Sequence, residues 1–492
     1  MHRKWLDPKV SVSIVYVAAM FMSIMDTTIV NVALPSLARQ LGVPSSSIDA
    51  VVVAYLVSLA VVMPASGWLG DRWGTKRIFL LALTLFTVSS ALCGLASSYG
   101  MLIVFRVLQG AAGGALTPVG IAMLYRTFPP SQRVQVSRVL IFPTILAPAL
   151  GPVLGGLLVT QLSWRWVFYV NVPIGIAACL FGLIYLHEHQ ESTPGRFDVA
   201  GFLLGGIGLA LVMYSLSEGP SSGWNSARIS GSAIVGMLLL CAFVILELRK
   251  REPMIDLRLL RDRLFRTTNL VSLFAYAGFL GVLFIAPLFL QEARGDSALV
   301  SGLTTFPEAI GVVLSTQLVA KLYPRIGPRR LMAGGLTGVA IFLMAMLSLI
   351  GQDTNLWVMR ALMFFIGAGM AYAFLPLRAA AFATISSAST GRASAFYSSQ
   401  TQLGAAIGVA VLGSVLSIIG PTTLSATGTI QPNLADYHAA FLAAAVLALI
   451  AACIALTISD RDAAITMRRR GDASSTGEKE EPEQIPSVEA SS

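Results

Sequence analysis

Long apolar runs, separated by short polar segments, follow one another along most of the chain. Each run approaches the ~20 residues that a helix needs to cross the hydrocarbon core of a bilayer. The pattern predicts about fourteen membrane-spanning helices, at 10–36, 47–69, 76–97, 100–123, 135–160, 165–186, 198–217, 229–248, 268–291, 299–322, 330–350, 355–378, 394–418 and 438–458. The predicted fold is an all-α polytopic membrane protein with both chain ends on one side.

Composition and charge agree with this fold and exclude a soluble protein. Of the 492 residues, 55% are hydrophobic and only 12% are charged. The formal net charge of +9 comes mostly from Arg and Lys in alternate polar segments, which is how loops retained in the cytoplasm are marked during insertion. We therefore expect a multi-pass protein of the inner (cytoplasmic) membrane, with both termini in the cytoplasm and no nucleic-acid partner.

A glycine-rich, charged turn joins the second and third predicted spans and reads Gly67-Trp68-Leu69-Gly70-Asp71-Arg72-Trp73-Gly74-Thr75-Lys76-Arg77. Glycine lets the backbone turn sharply and lets neighbouring helices approach closely. The cations Arg72, Lys76 and Arg77 place the turn in the cytoplasm. We expect Asp71 to lie just before the next helix and to cap it by accepting backbone N–H bonds.

The chain contains an internal repeat. Pro324, in a second copy of the turn, lies 253 residues after Asp71, and Arg360 lies 254 residues after Arg106 in similar surroundings. The near-equal offsets predict two duplicated six-helix halves, and since Pro324 replaces the acid, any switch role of the turn should be asymmetric. We expect a first half, two inserted helices with cytoplasmic linkers, a second half and a disordered cytoplasmic tail, at 1–187, 188–266, 267–458 and 459–492.

Asp26 lies deep within the first predicted span, in the run Met25–Pro35. A carboxylate inside the membrane costs ~2.5–3.5 kcal/mol on insertion scales, so it must face a cavity, pair with a cation or hold a proton. Because burial disfavours the charged form, the position suits a group that loads and releases protons. The alternative is an acid that packs helices together, bonded to neighbouring Thr or Asn side chains.

Arg106 lies in the fourth predicted span, in the pattern Arg106-Val107-Leu108-Gln109-Gly110. A guanidinium inside the membrane needs an anionic partner, for which Asp26 or a backbone carbonyl of the neighbouring span is the candidate. The alternative is an arginine that only pins helices together. The fifth span has small residues four apart, which make a close packing face, and prolines that bend the helix. The residues of interest there are Gly151, Pro152, Gly155 and Gly156.

Glu308, in the tenth predicted span, is a second acid inside the membrane. In a transporter such an acid indicates a site for a cationic substrate or a second proton. A residue near the helix end that reaches water is the alternative. Asn31, Tyr55 and Gln109 are weaker candidates for lining a substrate cavity, since each could equally form a hydrogen bond between helices.

These motifs together resemble the major facilitator superfamily. The Gly67–Arg77 turn resembles its signature loop between spans two and three, and the parallel duplication resembles its two six-helix halves around a central cavity. The runs at Met25–Pro35, Arg106–Gly110 and Gly151–Gly156 resemble motifs of its fourteen-span drug/proton antiporter family. The resemblance implies proton coupling by Asp26 and Arg106, an antiporter motif in span 5, and a conformational switch. That switch would comprise Gly67, Asp71, Arg72, Gly74, Lys76, Arg77 and Arg133.

The expected function is proton-coupled antiport, in which drugs or other lipophilic or cationic small molecules are exported by alternating access. The alternatives are a dedicated exporter of one endogenous metabolite, antibiotic or lipid, and an inorganic cation/proton exchanger. The sequence shows no P-loop and no catalytic or metal-ligand cluster, so we expect no enzyme, no cofactor and no metal. The expected partners are substrate, protons and membrane lipids. We expect a monomer that can work with an accessory periplasmic or outer-envelope partner.

Overall fold

The computed structural model describes residues 6–43, 48, 50–129, 132–190, 197–250, 253, 255–351, 353–386, 389–419, 422–424 and 430–467. Within these ranges some side chains lie outside the description, including those of Arg133 and Pro152. The last part of the predicted tail, 468–492, also lies outside the described residues.

Long helices account for most of the described chain. They are α1 (Pro8–Leu41), α2 (Ala50–Trp73), α3 (Thr75–Leu95), α4 (Tyr99–Thr127), α5 (Arg133–Gln161), α6 (Asn171–Tyr185), α7 (Val199–Ser222), α8 (Ala227–Arg249), α9 (Arg263–Leu288), α10 (Pro307–Ile326), α11 (Pro328–Leu349), α12 (Leu356–Ala381), α13 (Thr390–Ile419) and α14 (Leu434–Ala455). Shorter elements are the helices Trp166–Tyr169, Ala298–Thr305 and Ala464–Met467, the 3-10 helix Leu257–Arg261, the π-helical turn Phe289–Ala293, and the antiparallel strands β1 (Thr422–Leu424) and β2 (Ile430–Pro432).

The predicted all-α polytopic fold is confirmed. Among the described residues, thirteen helices are long and apolar enough to cross a membrane. Helix α5 occupies the predicted span 135–160, and several of its side chains lie outside the described residues. The short antiparallel pair β1–β2 between α13 and α14 was not predicted, since three-residue strands leave no signal in a pattern of long apolar runs.

Two of the predicted spans are each divided by a single non-helical residue. The predicted span 299–322 consists of two helices, because Pro307 begins α10 just after the short helix that ends at Thr305. Proline is favoured at the first position of a helix, where its missing N–H costs nothing. The predicted span 165–186 likewise divides at Val170 into a short helix and α6.

The first six and the last six helices pack in the same pairs. In the first set α2 packs on α4, α1 on α5, and α3 on both α4 and α6. In the last set α10 packs on α12, α9 on α13, and α11 on both α12 and α14. This correspondence is expected of a duplicated six-helix unit. The inserted helices α7 and α8 pack on each other, and α7 also contacts α2 and α13.

Glycines bring the helices of corresponding pairs into backbone contact. A Cβ added to Gly110 of α4 would lie 2.2 Å from the carbonyl oxygen of Tyr55 on α2. A Cβ added to Gly367 of α12 would lie 2.0 Å from the carbonyl oxygen of Glu308 on α10. Only glycine permits such an approach, which positions the neighbouring side chains of both pairs.

A single glycine separates helices at the turn that the sequence singled out. Helix α2 ends at Trp73, Gly74 has φ 95°, and α3 begins at Thr75. We call this end of the bundle the basic end, after Arg72, Lys76 and Arg77, and the other end the opposite end. In the second copy Gly327 has φ 84° and separates α10 from α11.

The predicted disorder of the tail is wrong for residues 459–467. Asp460 accepts a hydrogen bond from the backbone N–H of Arg329 at 2.9 Å. The hydroxyls of Tyr323 and Thr466 lie 2.7 Å apart, and Ala464–Met467 is helical. The segment after α14 therefore packs against the turn between α10 and α11.

Candidate functional site

The centre of the site is a fully buried ion pair between Asp26 on α1 and Arg106 on α4. Arg106 Nη1 donates to Asp26 Oδ2. The other carboxylate oxygen, Oδ1, accepts from Gln109 Nε2 at 3.0 Å and from Asn171 Nδ2 at 3.3 Å. The carboxylate of Asp26 thus accepts hydrogen bonds from three side chains, and Arg106 supplies its countercharge.

Besides Asp26, groups on α2 and α4 hold the guanidinium of Arg106. Its Nε donates to the carbonyl of Val51 on α2 at 3.1 Å, and Nη1 also donates to Gln109 Oε1 at 2.9 Å. The Tyr55 ring lies below it, with 4.3 Å between the guanidinium carbon and the ring centroid. Cation–π contacts of this kind strengthen when water is absent. Contacts other than its bond to Asp26 therefore also hold Arg106 in place.

Two of the predicted cavity residues belong to this cluster. Gln109 and Tyr55 are fully buried, and the Tyr55 hydroxyl donates to the carbonyl of Ser23 at 3.2 Å. Asn31 is exposed on α1, one and a half turns beyond Asp26. The four predicted cavity residues thus do not line one surface among the described residues.

Asn171 connects Asp26 to the opposite end of the bundle. It is fully buried at the start of α6, and its Nδ2 also lies 3.1 Å from Ser90 Oγ on α3. Ser90 Oγ in turn donates to the carbonyl of Phe168 at 2.9 Å. Phe168 lies in the short helix Trp166–Tyr169, next to the turn between α3 and α4.

The glycines of α5 approach the same region. A Cβ added to Gly151 would lie 2.0 Å from Thr28 Oγ1, two residues after Asp26. The backbone of α5 therefore packs directly on α1 at the level of the ion pair. Gly155 is buried, nothing lies within 4 Å of a Cβ added to Gly156, and the Pro152 side chain lies outside the described residues.

A second charged site lies at the basic end. Asp71 is almost fully buried near the end of α2, and its Oδ1 accepts from Arg126 Nη2 of α4 at 2.8 Å. A Cβ added to Gly391 of α13 would lie 2.7 Å from the same oxygen, and one added to Gly67 would lie 2.7 Å from the Gly391 carbonyl oxygen. Asp71 and Gly67 thus bring α2 against α13, which belongs to the last six helices.

The expected capping role of Asp71 is wrong. Helix α2 continues through Asp71 to Trp73, so this carboxylate lies inside a helix and not before one. The cap of α3 comes from Glu188, which follows α6 and accepts from the N–H of Lys76 at 2.9 Å and of Arg77 at 3.2 Å. An acid at a helix N-terminus satisfies free N–H groups and the helix dipole.

The predicted switch cations divide into three groups. Arg72 and Arg77 are exposed, and Arg77 Nε lies 3.7 Å from Glu188 Oε2. Lys76 Nζ donates to the carbonyl of Leu183 at 2.9 Å. The side chain of Arg133 lies outside the described residues, and among the described residues Arg126 pairs with Asp71.

Further bonds join the two sets of helices at the basic end. The Tyr125 hydroxyl donates to the carbonyl of Arg378 on α12 at 2.7 Å. The Ser394 hydroxyl of α13 donates to the carbonyl of Pro118 on α4 at 2.9 Å. Together with the contact between Asp71 and Gly391, these bonds hold the first and last sets of helices together at the basic end. We call this line of contact between the two sets the seam.

Unlike Asp26, Glu308 has no countercharge among the described residues. It is 3% exposed, in the first turn of α10. Its carboxylate forms no hydrogen bond or ion pair with any described residue. A buried acid without a partner has an unmet demand for a cation or a proton.

Several residues of the site were missed by reasoning from the sequence. They are Asn171, Ser90, Arg126, Glu188 and Gly391. Glu188 could have been found, because an acid follows the last helix of both sets, and Asp460 caps α11 in the same way. Asn171 follows an aromatic run that resembles an interfacial belt. The sequence therefore suggests an interfacial position for Asn171 and not a buried one.

Comparison with known proteins identifies the family. The family model of the Major Facilitator Superfamily matches residues 16–372 and 268–484. The chain belongs to this superfamily. It is 32% identical over 406 residues to the "Multidrug resistance protein B homolog" of Mycobacterium tuberculosis (strain ATCC 25618 / H37Rv), an alignment covering 82% of this chain and 75% of that protein. It is 32% identical over 417 residues to the "Putative multidrug resistance protein MdtD" of Escherichia coli O45:K1 (strain S88 / ExPEC), covering 84% and 87%.

Solved structures agree on the fold of this superfamily member. The crystal structure of the human organic anion transporter MFSD10 (TETRAN) superposes with a TM-score of 0.65 at 17% identity, covering 92% of this chain and all of that one. The proton:xylose symporter XylE bound to 6-bromo-6-deoxy-D-glucose gives 0.62 at 15% identity, covering 90% and 94%. The relatives of this multi-pass membrane protein are thus transporters, and its fold is a transporter fold.

Proposed function

We propose that this transporter is a proton-coupled antiporter of the cytoplasmic membrane that exports lipophilic or cationic drugs by alternating access. The observation that carries the proposal is the buried ion pair of Asp26 and Arg106, a titratable acid held deep within the helices that form the first half. The relatives named for multidrug resistance support the substrate class.

The ion pair provides a coupling step. A proton from outside neutralises Asp26 and weakens its bond to Arg106, which remains held by Val51 and Gln109. Substrate then leaves outward, and loss of the proton to the cytoplasm restores the pair. The exchange works only if proton and substrate are not carried together in the same direction.

The basic end supplies the switch between access states. We assign this end to the cytoplasm, with both chain termini, because its cations follow the positive-inside rule. The Asp71–Arg126 pair and the approach of Gly67 to Gly391 close the seam there. Separation of α2 from α13 would open the carrier to the cytoplasm, with Asp71 acting as the latch of the outward-facing state.

Glu308 provides a place for positive charge on the substrate. Its carboxylate is buried and has no partner among the described residues. A lipophilic cation would supply the missing charge. Asp26 would then bind the proton, and Glu308 would bind the cationic drug.

One coupling proton is sufficient for useful export. A proton driven by ~100 mV supplies ~2.3 kcal/mol. Since ~1.4 kcal/mol corresponds to a factor of ten, this energy sustains a concentration ratio of about fifty even without a pH gradient.

The test is the fluorescence of a pH-sensitive dye in energised inside-out vesicles that receive a panel of lipophilic cations and neutral drugs. We expect several compounds to release protons from wild-type vesicles, and none to do so with Asp26→Asn. Glu308→Gln should keep the response to neutral drugs and require about tenfold more of each cation. If folded wild-type protein responds to no compound, the multidrug proposal is wrong, and a dedicated metabolite exporter becomes the leading hypothesis.

A further inference from the structure

Two side-chain amides donate to the same oxygen of Asp26, but their carbonyl oxygens differ. Gln109 Oε1 accepts from Arg106 Nη1 at 2.9 Å and lies 3.6 Å from Cys93 Sγ. Asn171 Oδ1 is buried and accepts no hydrogen bond from any described residue. A buried acceptor without a donor is costly, so its presence beside an acid calls for an explanation.

The orientation of the Asn171 amide follows from its two neighbours. The Ser90 hydroxyl donates its only hydrogen to the Phe168 carbonyl, so Ser90 Oγ can only accept a hydrogen bond from Asn171. An ionised Asp26 is also only an acceptor. The N–H groups of Asn171 must therefore face both, which turns Oδ1 away.

Ionised Asp26 needs hydrogen-bond donors, whereas protonated Asp26 also needs an acceptor. The three side chains bonded to Asp26, those of Arg106, Gln109 and Asn171, all donate. A carboxylic acid carries a hydrogen of its own and needs an acceptor. Gln109 cannot supply one, because its oxygen is held by Arg106. The unused acceptor next to Asp26 is Asn171 Oδ1.

We propose that Asn171 senses the protonation of Asp26 by reversing its side-chain amide, and transmits that change through Ser90 to the backbone of Phe168 at the opposite end. When Asp26 gains a proton, its O–H donates to Asn171 Oδ1. Ser90 turns its hydroxyl to the same oxygen, and the Phe168 carbonyl loses its donor. Asn171 is thus a positioning residue, and the inference rests on the proposed role of Asp26 as the coupling acid.

Among the described residues, no other side chain that faces Asp26 is suited to accept its proton. Arg106 on α4, Tyr55 on α2 and Cys93 on α3 are the charged or titratable ones. Arg106 can only donate, and Tyr55 bonds Ser23. Cys93 is a weak partner that already points at Gln109.

The first measurement is an infrared pH titration of the reconstituted protein, using the carboxylic acid band that Asp26→Asn removes. Gln109→Leu deletes a donor that serves only the carboxylate, so its titration midpoint should rise by about one pH unit. Asn171→Leu deletes a partner that serves both forms, so the midpoint should move by less than half as much. Asn171→Ser, whose hydroxyl can donate and accept, should restore the wild-type band.

The second measurement follows the opposite end directly. Trp166, exposed in the short helix, is replaced by Cys in a chain whose Cys179, Cys241 and Cys453 are Ala, and is labelled from outside with an impermeant maleimide. The labelling rate should change with pH at the Asp26 midpoint in wild type and in Gln109→Leu. It should lose that pH dependence in Asn171→Leu and regain it in Asn171→Ser.

The outcomes separate this inference from the proposed function. Equal midpoint shifts in Gln109→Leu and Asn171→Leu, or labelling in Asn171→Leu that still follows pH, would overturn the role of Asn171. The absence of any band that Asp26→Asn removes would overturn both proposals. In a third outcome, the band titrates, Gln109→Leu and Asn171→Leu differ in midpoint and labelling as described, and no drug releases protons. The antiport proposal then fails and the role of Asn171 stands.

Discussion

Arg106 in α4 and Arg360 in α12 occupy corresponding places in the two six-helix sets, yet their surroundings differ. Arg106 is fully buried against Asp26. Arg360 is half-buried, and its guanidinium carbon lies 4.7 Å from the centroid of the exposed Trp357 ring. Phe279, 253 residues after Asp26, packs edge-on against Phe374 with 5.2 Å between centroids. By the repeat offset, the second set thus has an aromatic ring at the position that Asp26 occupies in the first set.

The scaffold, by contrast, is shared. Both turns contain one glycine with positive φ, and both following helices are capped by an acid from beyond the last helix of their set, Glu188 or Asp460. Duplication therefore preserves backbone contacts and caps, which any six-helix unit needs. Buried charge is expensive in a membrane and is kept only where function requires it. This difference is the reason that we propose proton coupling for the first set.

The largest expected effect comes from breaking the buried pair. Arg106→Ala leaves Asp26 buried without its countercharge and should lower the free energy of unfolding by ~3–5 kcal/mol. Thermal unfolding of the purified protein, followed by tryptophan fluorescence, measures the loss. Arg360→Ala is the matched control in the other set and should cost no more than ~1 kcal/mol.

A double substitution tests the cause of that loss. Asp26→Asn combined with Arg106→Ala removes the unpaired charge and should recover part of the stability. If the double variant is as unstable as the sum of both single variants, the two side chains are not coupled, and the contrast between the sets loses its basis.

An intermediate effect is expected at the seam, where the first set has Asp71 and the second has Pro324. Gly391→Ala forces a methyl group to 2.7 Å from Asp71 Oδ1. Overpacking of this kind costs ~1–3 kcal/mol, so we expect a lower melting temperature and slower transport. Gly338→Ala on α11, where nothing lies within 4 Å of the added Cβ, is the control and should be neutral or slightly stabilising. Equal results for both glycines would contradict the close contact at the seam.

The smallest effect concerns the shared caps. Glu188→Ala and Asp460→Ala each remove a carboxylate that accepts backbone N–H bonds at a helix start. Each should cost ~1 kcal/mol, as loss of a capping side chain usually does. The two changes should be equal within error in thermal unfolding. A large effect of one and none of the other would show that the caps are not equivalent.

The fold was predictable because hydrocarbon imposes strong rules on sequence. Spans follow from run length, and the contact of Asp26 with Arg106 follows from the cost of a lone charge in the membrane. Asp71 was placed wrongly, because the sequence alone does not show that α2 continues to Trp73. Its pairing with Arg126 depends on how α2 and α4 pack side by side, which hydropathy does not encode.

The orientation of neutral polar residues was the hardest part to predict. Asn171 follows the aromatic run Trp164–Tyr169, and an amide near such a run is as easily an interfacial residue as a buried one. The acid at Glu188 was overlooked because the N–H groups that it caps lie 112 and 111 residues away in sequence. Such contacts depend on tertiary packing and leave no local pattern.

The most direct test of the central claim is uphill transport in proteoliposomes. A lipophilic cation is placed at equal concentration on both sides, a pH gradient is imposed, and the cation gradient that develops is measured. The account predicts that wild type accumulates the cation on one side, and that Asp26→Asn exchanges it between the two sides without accumulation. If Asp26→Asn still accumulates the cation, the coupling acid lies elsewhere and the assignment of proton coupling to the first set is wrong.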